Sequence, residues 1–153
     1  MSLKENIDFK GSIATQSLRN QHIETVDIAE GYLAGKVSET DFVAHINSLL
    51  SYHFRIEEEI LYPAFKPYLE KYLPYMEPIK MVLAEHNGIR NLLKKANEGI
   101  ERTQNLHSIA ELLLQHVYKE ENGVFKQIDQ YMPDSVKEKI EKKISEFMDK
   151  NRT

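Results

Sequence analysis

A histidine four residues ahead of a glutamate occurs twice in comparable surroundings, at His53/Glu57 and at His116/Glu120. On an α-helix, positions i and i+4 stack on one face, so each pair points an imidazole nitrogen and a carboxylate oxygen the same way. That pairing suits one metal ion, or one end of a metal pair. Both segments read His-x-x-x-Glu-Glu-x-x-apolar-aromatic, ending at Tyr62 and at Phe125. The motif alone is weak, because six histidines and 18 glutamates in 153 residues produce such pairs easily by chance. The spacing is stronger. His22 precedes His53 by 31 residues and His86 precedes His116 by 30, while His53 to His116 and Glu57 to Glu120 each span 63.

These residues need elements that bring them level. Apolar residues recur at helical spacing from Ile13 through Leu18 and Ile23 to the Gly31–Gly35 region, then from Phe42 to Leu61, from Ile79 to Leu93 and from Leu106 to Ile128. No stretch alternates with a period of two. Ser38 to Asp41 reads as a capping box for the second helix, and Pro78 suits the first turn of the third. Pro63 and Pro67 should break or bend the second helix, leaving 68–77 as a connection. Gly99 to Gln104 reads as a turn. The expected fold is therefore all-α: an antiparallel up-down four-helix bundle with an additional C-terminal helix. One domain should span 1–153, with the bundle at about 10–131 and the last helix at about 134–150, opened by a capping box at Ser135 to Glu138.

The midpoint of His22 and His53 falls at Val37/Ser38, that of His86 and His116 at Glu101, and that of Glu57 and His86 at Lys71/Tyr72. Each lies in an expected link, so arms of equal rise put His22, His53, Glu57, His86, His116 and Glu120 in one layer. Four imidazoles and two carboxylates buried together are costly unless something pairs them, and a metal site resolves that cost. His45 and His107 sit more than two turns from the layer and read as structural. Glu58 and Glu121 lie about 100° around the helix from the preceding glutamate and read as supporting or surface groups. Glu121 stays a ligand candidate if the fourth helix is rotated.

The absence of cysteine excludes disulfides, thiolate zinc sites, iron–sulfur ligation and a cysteine nucleophile. Hydrophobic residues at 41%, charged residues at 29% and a net charge of −4 describe an ordinary globular chain with nothing to attract nucleic acid or an anionic membrane. No apolar run is long enough to span a bilayer, and MSLKENIDFK lacks the apolar core of a signal peptide, so a cytoplasmic setting is expected. The last helix carries a thin stripe of Val136, Ile140, Ile144, Phe147 and Met148. It suits a flap packed on the bundle or, alternatively, a homodimer or partner surface. No Ser-His-Asp arrangement, Gly-rich phosphate loop or basic stripe is present.

With His22 on the first helix, His-Phe-x-x-Glu-Glu at His53, Glu-His-x-x-Ile-Arg from Glu85 to Arg90 and His-x-x-x-Glu-Glu at His116, the chain resembles the hemerythrin-like family, also called the HHE cation-binding domain. The resemblance covers roughly residues 10 to 131. It implies a four-helix bundle around a non-haem di-iron centre, with His22, His53, His86 and His116 as terminal ligands and Glu57 and Glu120 as bridges. A solvent-derived bridge would leave one open position on each iron. Oxygen carriers of the family add a histidine four before the third-helix one, where this chain has Val82. They also place Asp five after the last histidine, where it has Glu121. These departures resemble the domain of iron–sulfur repair and iron-sensing relatives, although the repair proteins carry a cysteine-bearing N-terminal region.

Imidazole and carboxylate suit iron, and also manganese or zinc. Four functions fit: binding or sensing O2 or a related ligand such as NO or peroxide; iron handling or protection under nitrosative or oxidative stress; a di-iron peroxidase; and a metal-free interaction bundle. The first is favoured, a small-ligand-binding protein rather than an enzyme. Leu49, Leu50, Ile56, Leu83, Ile89 and Leu113 are expected to line a dry pocket. Tyr52 and Tyr118 are placed at helix interfaces, with a hydroxyl offered to a bound ligand as the alternative.

Overall fold

Every regular element among the described residues of the computed structural model, 3–7 and 13–151, is a helix. The expected start of the bundle near residue 10 lies outside these residues. Helix α1 spans Gln16–Leu33, preceded by a 3-10 turn at Ile13–Thr15. Gly35, at φ +75°, follows the end of α1 in the left-handed region that ends many helices. Helix α2 runs through 39–72, α3 is Pro78–Asn97, α4 runs through 102–131 and α5 is Asp134–Lys150. Ser38 caps α2 as expected, its Oγ accepting the Asp41 amide at 3.1 Å.

Three boundaries differ from expectation. Pro63 and Pro67 do not stop α2, which continues to Tyr72, so the connection shrinks to 73–77. Both prolines are exposed, so the carbonyl each leaves without a helical donor lies on the solvent side. Pro63 also lies two residues past the end of a widened, π-helical turn. The turn before α4 is shorter than expected, with Gly99 at φ +79° and Glu101 at φ 41° reversing the chain before Arg102. Ser135 does not cap α5. That helix already starts at Asp134, behind Pro133, and no side chain caps it.

Two long helices carry π-helical turns. In α2 these are Leu49–His53 and Glu57–Leu61, and in α4 the turn is Glu120–Val124. The amides of Phe54, Tyr62 and Phe125 accordingly bond to the carbonyls of Leu49, Glu57 and Glu120, five residues back. Such insertions cost regular hydrogen bonding and concentrate at functional sites. Here each one ends or begins at His53, Glu57 or Glu120.

Two large apolar clusters make up most of the interior, with a small third one at Ile7, Val26 and Val117. One cluster contains Leu18, Leu61, Phe65, Val82, Phe125 and Ile128; the other contains Ala29, Phe42, Phe54, Ile89, Ile109 and Leu113. On α1, α3 and α4 the buried histidine of the layer stands between them in sequence, and on α2 the two clusters meet at Phe54 and Ile56 with His53 and Glu57 immediately to either side. Helix α4 packs along both α1 and α3.

The stripe of α5 is committed to its own chain. Ile140 and Ile144 are buried in the first cluster, and Val136, Phe147 and Met148 pack on it. The Arg55 guanidinium lies 4.9 Å from the Phe147 ring centroid, and Lys137 Nζ donates to the Asp129 carbonyl at 2.9 Å. Ile140→Ala should therefore cost about 2–4 kcal/mol in urea unfolding. The midpoint should not depend on protein concentration; a concentration-dependent midpoint would assign the stripe to a contact between chains.

Candidate metal centre

The structure brings all six expected residues together. Donor atoms of His22, His53, Glu57 and Glu120 lie within 4.8 Å of one another, as do those of Glu57, His86 and His116. Glu57 belongs to both groups. Glu120 touches both histidine pairs, with its Oε1 2.6 Å from His116 Nε2 and 3.3 Å from His22 Nε2. Glu57 Oε1 lies 3.1 Å from His86 Nε2 and 3.5 Å from His53 Nε2. None of the six is more than 2% exposed.

Each imidazole is held from behind by its other nitrogen. The Nδ1 atom of His22 meets Glu121 Oε2 at 2.5 Å, that of His53 meets Gln21 Oε1 at 2.7 Å, that of His86 meets Glu58 Oε2 at 2.6 Å and that of His116 meets Glu85 Oε1 at 3.1 Å. These partners form a closed ring, in which α1 holds the histidine of α2, α2 that of α3, α3 that of α4 and α4 that of α1. Every holder is the sequence neighbour of an inward-facing residue. Arg90 and Lys119 in turn pair with Glu58 and Glu85.

An acceptor behind each ring places the proton on Nδ1 and leaves the Nε2 lone pair facing inward. Lone pairs and carboxylate oxygens then face one another across short gaps, with His86 Nε2 only 3.3 Å from His116 Nε2. His22 Nε2, Glu57 Oε1 and Glu120 Oε1 are buried without a hydrogen-bond partner. Acceptors crowded in this way call for a proton or a metal ion between them, and this donor set fits a metal ion.

The profile of the hemerythrin HHE cation binding domain matches residues 14–128. The chain belongs to this family. No curated protein matches the chain at a significant level, and no solved structure does.

Within this hemerythrin domain, Val82 stands one turn before His86 and is buried in the first apolar cluster. Glu120, not Glu121, turns inward. The helix from His116 to Glu120 is regular and the π-turn begins only at Glu120, so the four-residue spacing keeps its common face. His45 and His107 stay out of the layer. His45 Nε2 meets Thr25 Oγ1 at 2.8 Å, and His107 meets the Tyr32 ring edge-on. Tyr118 is exposed and Tyr52 donates to the Asn151 carbonyl at 3.3 Å. Of the expected pocket residues, Leu49, Ile56, Ile89 and Leu113 are buried, whereas Leu50 and Leu83 are half-buried.

The tyrosine that does reach the centre is Tyr62. Its hydroxyl lies between Glu120 Oε2 and Glu57 Oε2, the latter at 3.1 Å. Its counterpart Phe125 stacks on His22 with centroids 5.3 Å apart. Both aromatics follow their glutamate by five residues, which on a regular helix puts them about 140° around from it. The wider π-turns reduce that offset. The aromatic closing both sequence segments was the available signal, and regular-helix geometry hid its meaning.

In the metal-free chain a proton takes the cation's place. Burial lowers the pKa of His116, but Glu120 and Glu85 more than offset this and push it up to about 9. His86, buried and facing His116, is pushed down to about 4. The other pair divides likewise. Burial opposes protonation of His22 but Glu120 and Glu121 outweigh it, while burial and neighbouring His22 hold His53 well below the usual range. Burial and the Glu120 charge raise Glu57 well above a normal carboxyl. Burial acts in the same sense on Glu120, yet His116 and the surrounding hydrogen bonds hold it well below. A cation needs the His116 lone pair, so at pH 7.5 it must expel that proton. Metal affinity should therefore climb with pH towards about 9 and then level. Calorimetric titration in buffers of different ionisation heat should register proton release, and no release would contradict this proton assignment.

Proposed function

We propose that this hemerythrin-domain chain is a non-haem di-iron protein that binds or senses O2 or a related small ligand such as NO or peroxide. The observation that carries this reading is the convergence of four imidazoles and two carboxylates in one buried layer, with His22 Nε2, Glu57 Oε1 and Glu120 Oε1 left without a hydrogen-bond partner. His22 and His53 would hold one metal, His86 and His116 the other, and Glu57 and Glu120 would bridge them. Iron supplies, when bound, a reversible redox change and a coordination position for a diatomic.

The chain's own residues do the rest. The Nδ1 acceptors fix the rings, so the donors are oriented before any ligand arrives. The two apolar clusters exclude water on either side of the layer. The Tyr62 hydroxyl steadies both carboxylates. An up-down arrangement of α1 to α4 is part of the proposal. It is supported by the order of the apolar clusters, which reverses from each long helix to the next.

Anaerobic loading with ferrous iron, followed by visible spectra on admitting air, on re-reduction and on adding NO, tests the function. Charge-transfer bands that appear, bleach and return are expected. A protein that stays colourless through every step contradicts the reading.

A further inference from the structure

The layer is sealed by burial, so a small ligand needs a way in. A cleft of about 900 Å³ opens between the second half of α2, the 73–77 connection and the first half of α3. Leu69, Leu73, Ile79 and Leu83 give it a largely apolar wall. Two of its lining residues also belong to the centre: Glu58, which holds His86, and Tyr62, whose hydroxyl touches both Glu57 and Glu120. Tyr62 is only 2% exposed, so its side chain spans from cleft wall to carboxylates with almost none of it free. The cleft is far larger than the ~30 Å³ that a molecule of water's size takes up, and Tyr62 stands between it and the two carboxylates.

We infer that this cleft is the port through which a neutral diatomic reaches the centre, with Tyr62 as the side chain that separates the two and limits what passes. The apolar part of the wall takes up O2 or NO readily, while Glu58, Lys66, Glu70, Glu77 and Lys80 also line the cleft, so selection for a neutral diatomic falls on the buried ring of Tyr62 and not on the cleft itself. The inference rests on the small-ligand reading above, and Tyr62 acts in it as a positioning residue.

The test uses the absence of native cysteine. Ala84→Cys places one thiol in the cleft wall, and Glu111→Cys places one on the exposed side of α4, away from the cleft. Each variant is labelled with a bulky maleimide and loaded with ferrous iron, and NO association is followed by stopped-flow absorbance. Labelled Ala84→Cys should bind NO about tenfold more slowly than before labelling, labelled Glu111→Cys should be unchanged, and Tyr62→Ala should bind faster. Equal rates in the two labelled proteins overturn the port. No NO signal in unlabelled protein contradicts the small-ligand reading instead. A second arm needs no metal: dissolved O2 should broaden the methyl resonances of Leu69 and Leu83 more than those of Leu106 and Leu113. Equal broadening overturns the inference even where the centre binds NO.

Discussion

Glu57→Gln should abolish binding of both metals, whereas His53→Ala should leave one pair able to bind and His45→Ala should leave both. Glu57 serves both donor groups, His53 only one, and His45 neither. A ligand held by the native state alone stabilises it by about 2.7 kcal/mol per site at a free concentration of 100 Kd. The metal-dependent rise in Tm should therefore vanish in Glu57→Gln, shrink in His53→Ala and persist in His45→Ala. The metal-free Tm should order differently. Burial and Glu120 already disfavour the Glu57 charge, so a neutral amide of the same shape costs the metal-free protein little. Metal content by mass spectrometry and paired thermal melts check both halves. Equal iron depletion in His45→Ala and His53→Ala would contradict the assignment of the layer.

Phe54→Ala should be the most damaging apolar substitution at the centre. The ring is 1% exposed and stacks on His86 with centroids 3.8 Å apart and planes 10° from parallel. It also meets His53 and His116 edge-on at 6.0 and 5.8 Å. Removing it deletes a full aromatic burial and leaves a cavity, for about 3–5 kcal/mol. It also removes the wall against which three of the four histidines rest. Denaturant unfolding should register the loss in the metal-free protein, and metal affinity should fall with it. Phe54→Leu should recover most of the stability but less of the affinity, because it restores volume without the flat face. A metal-free stability change below about 1 kcal/mol for Phe54→Ala would mean that the site collapses without strain.

The layer is the part of the centre most legible in the amino-acid sequence. Equal arms on either side of each turn are a property of helical rise, and rise depends little on side-chain detail, so spacing alone levels His22, His53, Glu57, His86, His116 and Glu120. Rotation about the helix axis is harder. A π-turn carries no composition of its own, so nothing marks Glu57–Leu61 or Glu120–Val124, and the roles of Tyr62 and Phe125 disappear with them. Gln21 and Glu85 escape for a related reason. Each reaches a histidine on the neighbouring helix, and that contact depends on how two helices face each other, not on spacing along one. Pro67 inside α2 is the converse case. The local rule predicts a break, but the residue is exposed and tertiary packing carries the helix past it.

The most direct test of the central claim is an anomalous difference map recorded at the iron edge from crystals of iron-loaded protein. Two peaks are predicted, one between His22 and His53 and the other between His86 and His116, both flanked by Glu57 and Glu120. A single peak, or strong peaks away from these six residues, would contradict the account.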